Sequence, residues 1–291
     1  MEQAASRPWA GPEAVAAELQ GPPRGETVSV GDLSIHYRSH GRPEGDAVVF
    51  VHGSGPGASG HSNFKKNIDA FAAAGYRVIV PDLPGFGYSS KPTDRDYTTR
   101  FFSEHLVGLL DAVGIDGFAL IGNSLGGAIS IRAALDHPDR VTKLILMAPG
   151  GIEELETYMA MPAMAKMIAN FVDGALDRDG LRRVLETLVY DPVHVTDALV
   201  DERWAILQQQ PPEVLSRMSI PNMESELGNI QCPVLSFWGV DDEMLPASGG
   251  LKITRACRPS RHVEIAECGH WVMVEHTRLF ETACLDFLAN G

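Results

Sequence analysis

The chain has 291 residues, 44% of them hydrophobic and 21% charged, which suits one large α/β domain or two small ones with a sizeable core. Its formal net charge of −14 repels phosphate backbones and argues against a nucleic-acid partner. No run of about 18 consecutive apolar residues occurs, so no membrane span is expected.

Residues 1–25 include Arg7, Pro8, Pro12, Glu13, Pro22 and Pro23. They lack a charged start followed by an apolar run and read as an N-terminal extension rather than a secretory signal. A short helix is expected within it near residues 13–19. Residues 28–37 alternate apolar and polar side chains across a Gly31-Asp32 turn, the pattern of an antiparallel hairpin. Mainly apolar runs follow at 47–51, 76–80, 118–121, 144–147, 234–238 and, more weakly, 262–265. Such short runs suit strands covered on both faces. Helical patterns at 63–74, 98–113, 126–136 and 275–289 lie between or after them. This alternation predicts an α/β fold with a mostly parallel sheet and crossover helices.

One interval breaks the rhythm. Between Pro149 and Ile230 the periodicity is helical, at 157–172, 177–188, 196–210 and 212–218, with no strand expected. A core of residues 26–149 and 231–291 carrying an inserted helical lid at 150–230 is the organisation these patterns predict.

The four cysteines, Cys232, Cys257, Cys268 and Cys284, form no CxxC pair. They read as buried free thiols in a reducing cytoplasm. No Cys/His/Asp set has metal-ligand spacing and no dinucleotide fingerprint follows the first strand, so neither metal nor cofactor is expected.

Three stretches carry chemistry. Gly122-Asn123-Ser124-Leu125-Gly126 matches G-x-S-x-G between an expected strand and an expected helix. That turn holds a serine at a helix N-terminus, and the small residues Gly122 and Gly126 let strand and helix approach. The Leu125 N–H can face a developing oxyanion. His52-Gly53-Ser54-Gly55-Pro56-Gly57 follows an earlier strand, and the Ser54 N–H is the candidate second oxyanion donor. A phosphate loop is the rival reading, but no Gly-Lys-Ser/Thr follows. His52 itself reads as a hydrogen-bonder of the turn. Gly239-Val240-Asp241-Asp242 offers an acid to orient an imidazole, with Asp242 preferred over Asp241 by its spacing from the glycine. Gly269-His270-Trp271 follows the last strand, and His270 can serve as general base and then general acid. Other histidines, including His194, His262 and His276, read as surface residues. The chain order Ser124, Asp242, His270 is that of an α/β-hydrolase. A serine at this elbow argues against dehalogenases and epoxide hydrolases, which need a carboxylate there.

The motifs together resemble those of the meta-cleavage-product hydrolases of bacterial aromatic and steroid degradation. The resemblance runs from about Val28 to Leu288. It includes Ser62-Asn63, Asp82-Leu83-Pro84-Gly85-Phe86-Gly87, Val189-Tyr190-Asp191, Arg203-Trp204 and Cys268-Gly269-His270-Trp271. It implies a small-molecule substrate, a 2-hydroxy-6-oxo-hexa-2,4-dienoate, cleaved by water at C5–C6 after ketonisation. It also implies substrate binding by Asn63, Asn123, Arg203 and Trp271. Arg203 offers a planar fork for the anionic end, with an exposed lid salt bridge as the alternative. The asparagines have local turn bonding as theirs. Met159, Met161, Met164 and Met167 suit an adaptable apolar pocket or plain lid core. Ser54 stands where many members carry glycine, and residues 151–172 match least, so phenyl, alkyl and fused-ring C6 substituents all stay open. By analogy the chain is expected to form a homo-oligomer. A carboxylesterase or amidase with the same triad, and a ligand-sensing α/β-hydrolase, are the other readings.

Overall fold

The computed structural model describes residues 24–164, 166 and 176–291. The helix expected at 13–19, Met167 and the end of the helix expected at 157–172 lie outside them. The strands in chain order are β1 (Glu26–Val30), β2 (Leu33–Gly41), β3 (Ala47–Val51), β4 (Arg77–Pro81), β5 (Tyr97–Thr98), β6 (Phe118–Asn123), β7 (Val141–Met147), β8 (Met218–Ser219), β9 (Val234–Gly239) and β10 (Ser260–Ile265). Eight of them form one sheet in the order β1-β2-β4-β3-β6-β7-β9-β10. The β1–β2 hairpin and the β2–β4 pair are antiparallel, and every later pair is parallel.

The apolar runs explain the arrangement. Every residue of β3, β6 and β9 is buried, as central parallel strands with both faces covered require. Helices Thr99–Ala112, Leu125–Asp136, Ser248–Ala256 and Thr277–Asn290 supply the cover. The first is capped by Thr98, whose hydroxyl accepts from the Phe101 N–H at 3.1 Å. Its buried residues Phe102, Leu106, Leu109 and Leu110 recur at helical spacing.

One expected helix is divided and another has a short helix set before it. The pattern at 63–74 becomes Gly60–Phe64 and Ile68–Ala73. The first begins early because Ser59 and Ser62 form a reciprocal capping box. Asn67, between the two, sends its amide to the Met273 carbonyl at 3.0 Å. The helix expected at 275–289 is Thr277–Asn290, and an unexpected short helix, Val272–Glu275, precedes it, parted from it at His276 with φ −118° and ψ 47°. Hydrophobic spacing persists through both interruptions, so it did not reveal them.

Between β7 and β9, which are neighbours in the sheet, the chain forms helices Leu155–Met159, Arg178–Glu186, Asp197–Leu207 and Glu213–Ser216. It also forms one strand that the helical periodicity concealed: β8 pairs in parallel with β5, Met218 opposite Tyr97 and Ser219 opposite Thr98. Two residues are too few to show a period, and their partner lies far away in sequence. His262 departs from the surface position expected of it. Its side chain is 8% exposed, and its Nδ1 lies 2.8 Å from Ser236 Oγ of the adjacent strand. Gly250 leaves room for the ring, since a Cβ there would fall 2.0 Å from it.

Candidate active site

Ser124 joins β6 to the Leu125–Asp136 helix with φ 56° and ψ −118°. Such a backbone costs a non-glycine residue on the order of 1–3 kcal/mol and persists only where the surroundings fix it. They do so here. The Ser124 N–H donates to the Met147 carbonyl at 3.0 Å, and its own carbonyl accepts from Ala128 and Gly150, both at 3.1 Å. The flanking glycines are needed for contact rather than for torsion. A Cβ on Gly126 would lie 1.9 Å from the Val51 carbonyl oxygen, and one on Gly122 would lie 2.4 Å from the Gly126 oxygen. Asn123 and Leu125 are buried, whereas Ser124 between them is half-buried.

The loop after β3 lies against this elbow. A Cβ on Gly53 would sit 3.3 Å from Ser124 Cβ. Neither the Ser54 N–H nor the Leu125 N–H is engaged by another group among the described residues. His52 braces the loop, with Nδ1 2.8 Å from the Gly53 carbonyl and Nε2 accepting from the Leu83 N–H at 3.0 Å. Burial pushes its pKa down to about 4, so it is a neutral strut.

His270 is buried, and its Nδ1 lies 2.8 Å from Asp242 Oδ2. The other Asp242 oxygen accepts from the Met244 and Leu245 N–H groups at 2.7 and 3.0 Å. Three hydrogen bonds thus fix the carboxylate, while neighbouring Asp241 is exposed. Among the described residues no hydrogen bond links the Ser124 hydroxyl to His270, which is common before substrate binds. The His270 loop still reaches the elbow, because Asn123 Nδ2 donates to the His270 and Met147 carbonyls, both at 3.3 Å. Asn123 Oδ1 is buried without a partner.

Asn63 and Arg203 meet on the other side of the loop. Arg203, on the Asp197–Leu207 helix, is 1% exposed, so it is no surface ion pair. Its Nη2 donates to Asn63 Oδ1 at 2.6 Å and its Nη1 to the Pro56 carbonyl at 3.4 Å. Its Nε is buried and unpartnered, and its guanidinium lies over the Trp271 ring, 4.9 Å from the centroid. No carboxylate lies within ion-pairing distance among the described residues. Burial lowers its pKa to about 10, which still leaves it charged at neutral pH. The helix docks closely because Gly57, at φ +64°, has no Cβ: one there would lie 2.0 Å from the Arg203 carbonyl oxygen.

A cavity of about 50 Å³ borders Asn63 and Trp271, closed by His194, Thr196 and Leu199. A larger one, about 770 Å³, touches Asp242 and the helical insertion but neither Ser124 nor His270. Among the described residues no cluster of three or more His, Cys, Asp or Glu side chains is placed to hold a metal ion.

Comparison with known proteins places this geometry. An α/β-hydrolase-fold family model matches residues 46–183. The chain is 37% identical over 269 residues to a 2-hydroxy-6-oxo-6-phenylhexa-2,4-dienoate hydrolase of Burkholderia cepacia, covering 89% of this chain and 93% of the relative. It is equally similar to a 2-hydroxy-6-oxononadienedioate/2-hydroxy-6-oxononatrienedioate hydrolase of Comamonas testosteroni. The chain belongs to the meta-cleavage-product hydrolases of the α/β-hydrolase fold. Among solved structures it resembles a 2-hydroxy-6-oxo-6-phenylhexa-2,4-dienoate hydrolase from Rhodococcus, with TM-score 0.80 and 27% identity over 91% of this chain and 98% of that one. It also resembles a meta-cleavage product hydrolase from Pseudomonas fluorescens, with TM-score 0.79 and 25% identity over 91% and 97% of the two chains.

In this meta-cleavage-product hydrolase two further residues brace the loops of the candidate site from outside any motif. Gln210 Oε1 accepts from the Gly57 N–H at 3.2 Å, bracing the loop from the insertion. Glu275 bonds the loop that carries His270. Neither sits in a motif, and a single half-buried amide or carboxylate leaves no periodic trace. All four cysteines are free and buried. Among the described residues no helix is long and apolar enough to cross a membrane.

Proposed function

We propose that this chain hydrolyses the C5–C6 bond of a 2-hydroxy-6-oxo-hexa-2,4-dienoate, giving a 2-hydroxypentadienoate and a carboxylic acid. The observation that carries the reading is the buried, carboxylate-free Arg203 beside Asn63 and Trp271. A desolvated cation costs several kcal/mol unless an anion arrives to pair with it, and the substrate's carboxylate is such an anion. An ordinary ester needs no such clamp. The loop 53–57 sets the spacing: Gly53 touches Ser124 at one end, while Gly55, Pro56 and Gly57 touch Arg203 at the other.

In this reading the carboxylate and 2-oxygen lie against Arg203 and Asn63, with the dienoate along Trp271. Asn123 offers its buried, unpaired Oδ1 to a protonated group of the substrate. Asp242 holds the His270 tautomer with a protonated Nδ1, leaving Nε2 as the base. His270 assists ketonisation at C5, which turns the leaving group into a stabilised carbanion equivalent. It then takes the Ser124 proton as the hydroxyl oxygen attacks the C6 carbonyl. The Leu125 and Ser54 N–H groups hold the oxyanion. Collapse breaks C5–C6 and expels the dienolate, which takes the proton held on His270 Nε2 to become the 2-hydroxypentadienoate and returns the imidazole to its neutral form. Water, deprotonated by His270, releases the acid from Ser124. Activation of water by His270 directly at C6 gives the same products through a gem-diol. Rapid-quench trapping of an acyl group on Ser124 distinguishes the two.

Residues 150–230 act as the lid in this scheme, since they supply Arg203 and Gln210 from above the sheet. We further read the enzyme as cytoplasmic, which free thiols support, and as a homo-oligomer, by analogy with its family.

The test is loss of dienolate absorbance with the 6-phenyl substrate, run beside Ser124→Ala. Fast decay to benzoate, abolished in the variant, is the expected result. If colour persists with phenyl, alkyl and bicyclic substrates while nitrophenyl esters are hydrolysed briskly, the enzyme is an esterase and the proposal fails.

A further inference from the structure

Glu275 ends the short Val272–Glu275 helix, five residues beyond His270 in the chain. Its carboxylate is half-buried and is divided between two segments. Oε1 accepts from the Gly269 N–H at 2.7 Å, and the Cys268 thiol points at it from 3.8 Å. Oε2 accepts from the Tyr190 N–H at 2.7 Å and from the Asp191 N–H at 3.2 Å. One side chain thus binds the residue immediately before His270 and two residues of the insertion. The same segments meet once more, where the His270 N–H donates to the Leu188 carbonyl at 3.0 Å. Close approach is possible because Gly269 has no Cβ: one there would lie 2.9 Å from the Tyr190 nitrogen.

These are charge-assisted bonds to backbone groups, stronger than neutral ones and directional. Lys66 donates to the Val274 carbonyl at 3.4 Å rather than to this carboxylate, whose hydrogen bonds come from the three N–H groups and, weakly, the Cys268 thiol. The segment 188–191 has few other polar ties to the His270 loop. Without Glu275 the Gly269, Tyr190 and Asp191 N–H groups lose their acceptor together, and among the described residues the Leu188–His270 backbone bond is what still joins the two segments.

We infer that Glu275 is a positioning residue for the hydrolytic reaction, coupling the placement of His270 to the docking of the insertion at residues 188–191. It does not touch substrate. This rests on the reading of His270 as the base. The anion clamp on Asp197–Leu207 shares the stack on Trp271 with the His270 loop but makes its hydrogen bonds elsewhere, to Asn63 and Pro56, and packs on Gly57. Loss of Glu275 therefore disturbs the placement of the base while leaving recognition of the carboxylate nearly intact.

The experiment is a double-mutant comparison on the full chain with the 6-phenyl dienoate. Glu275→Ala, Glu275→Gln, His270→Ala and the double variant His270→Ala/Glu275→Ala are measured for kcat, KM and Tm. Expected is a fall in kcat of roughly 10- to 100-fold for Glu275→Ala with KM changed less than about threefold. Glu275→Gln, which keeps one acceptor oxygen but turns an NH2 toward backbone donors, falls between that and wild type. In the His270→Ala background the Glu275 change costs less than about twofold more, because the group it positions is already gone. An equal loss in both backgrounds, or a loss confined to KM or Tm, overturns the inference and leaves Glu275 a scaffold residue. Should Glu275→Ala not fold, Glu275→Gln is carried through both backgrounds with the same criteria. A His270→Ala protein with wild-type turnover would instead overturn the assignment of His270, and this inference with it.

Discussion

The guanidinium of Arg203 lies over the indole of Trp271, 4.9 Å from the ring centroid, although the two residues come from different segments of the chain. The stack replaces part of the water that a buried cation loses, and it faces the group toward Asn63. Nothing in the described structure neutralises the charge. Substitution by an apolar residue of similar length therefore separates function from stability. For Arg203→Met we expect kcat/KM to fall at least about 100-fold, chiefly through KM, while Tm rises by about 2–4 °C. Thermal denaturation with and without the pentadienoate product checks it. The ligand should raise Tm in the wild type and not in the variant.

Ser124 is held in a backbone conformation that glycine adopts freely. Ser124→Gly should therefore abolish dienoate cleavage and yet stabilise the fold by about 1 kcal/mol, seen as a Tm increase of a few degrees. Ser124→Ala keeps the strained torsion, so it should be as inactive without that gain. Equal Tm values for the two variants would mean the turn stores no strain.

Asp242 uses both oxygens, one on His270 and one on two backbone N–H groups. An asparagine there cannot accept at both sites, so one contact becomes donor against donor or the imidazole takes the wrong tautomer. For Asp242→Asn we expect kcat to drop by roughly 10²- to 10⁴-fold, with KM within a few-fold of wild type. Asp241→Asn, by contrast, should change kcat less than about twofold. Steady-state kinetics on the two variants checks the choice between these adjacent acids.

His52 makes stability depend on pH. Burial lowers its pKa from the ordinary histidine value to about 4. Between pH 4 and about 6.5 the unfolded chain therefore binds a proton that the folded chain refuses. Stability rises with pH across that window and falls as the solution is acidified through it, by on the order of 3 kcal/mol in total. Protonation would also take the Leu83 N–H acceptor away. Chemical denaturation at pH 4.5, 5.5 and 7 should show this decline, and His52→Gln should flatten the slope while lowering stability at pH 7.

Much of this was legible in the residue order. Fully buried strands announced themselves as apolar runs at 47–51 and 118–121, because a strand covered on both faces cannot carry polar side chains. The elbow at Ser124 could be read because it needs small residues at fixed offsets, at Gly122 and Gly126, where an added Cβ would strike backbone. His52 as a structural turn residue was readable from its place at a strand end. The breaks at Asn67 and His276 were not, since hydrophobic spacing continues across both. Nor was β8, whose pairing with β5 leaves no local period, or the packed position of His262, which depends on a glycine twelve residues earlier in the chain.

The candidate site divides along the same line. The order and types of its reacting groups were fixed by local chemistry: a serine in a tight turn, an acid after one strand and a histidine after the next. Sequence alone could also rank Asp242 above Asp241, but only the fold brings one of its oxygens to 2.8 Å from His270. It was the tertiary structure that buried Arg203 against Trp271, paired it with Asn63 and gave Asn123 a separate place under His270. The same packing divided the Glu275 carboxylate between the histidine loop and the insertion. Turns and strands are set by neighbours in the chain, so they can be read from it. Burial of a charge and the partners of a carboxylate are set by segments that meet only on folding.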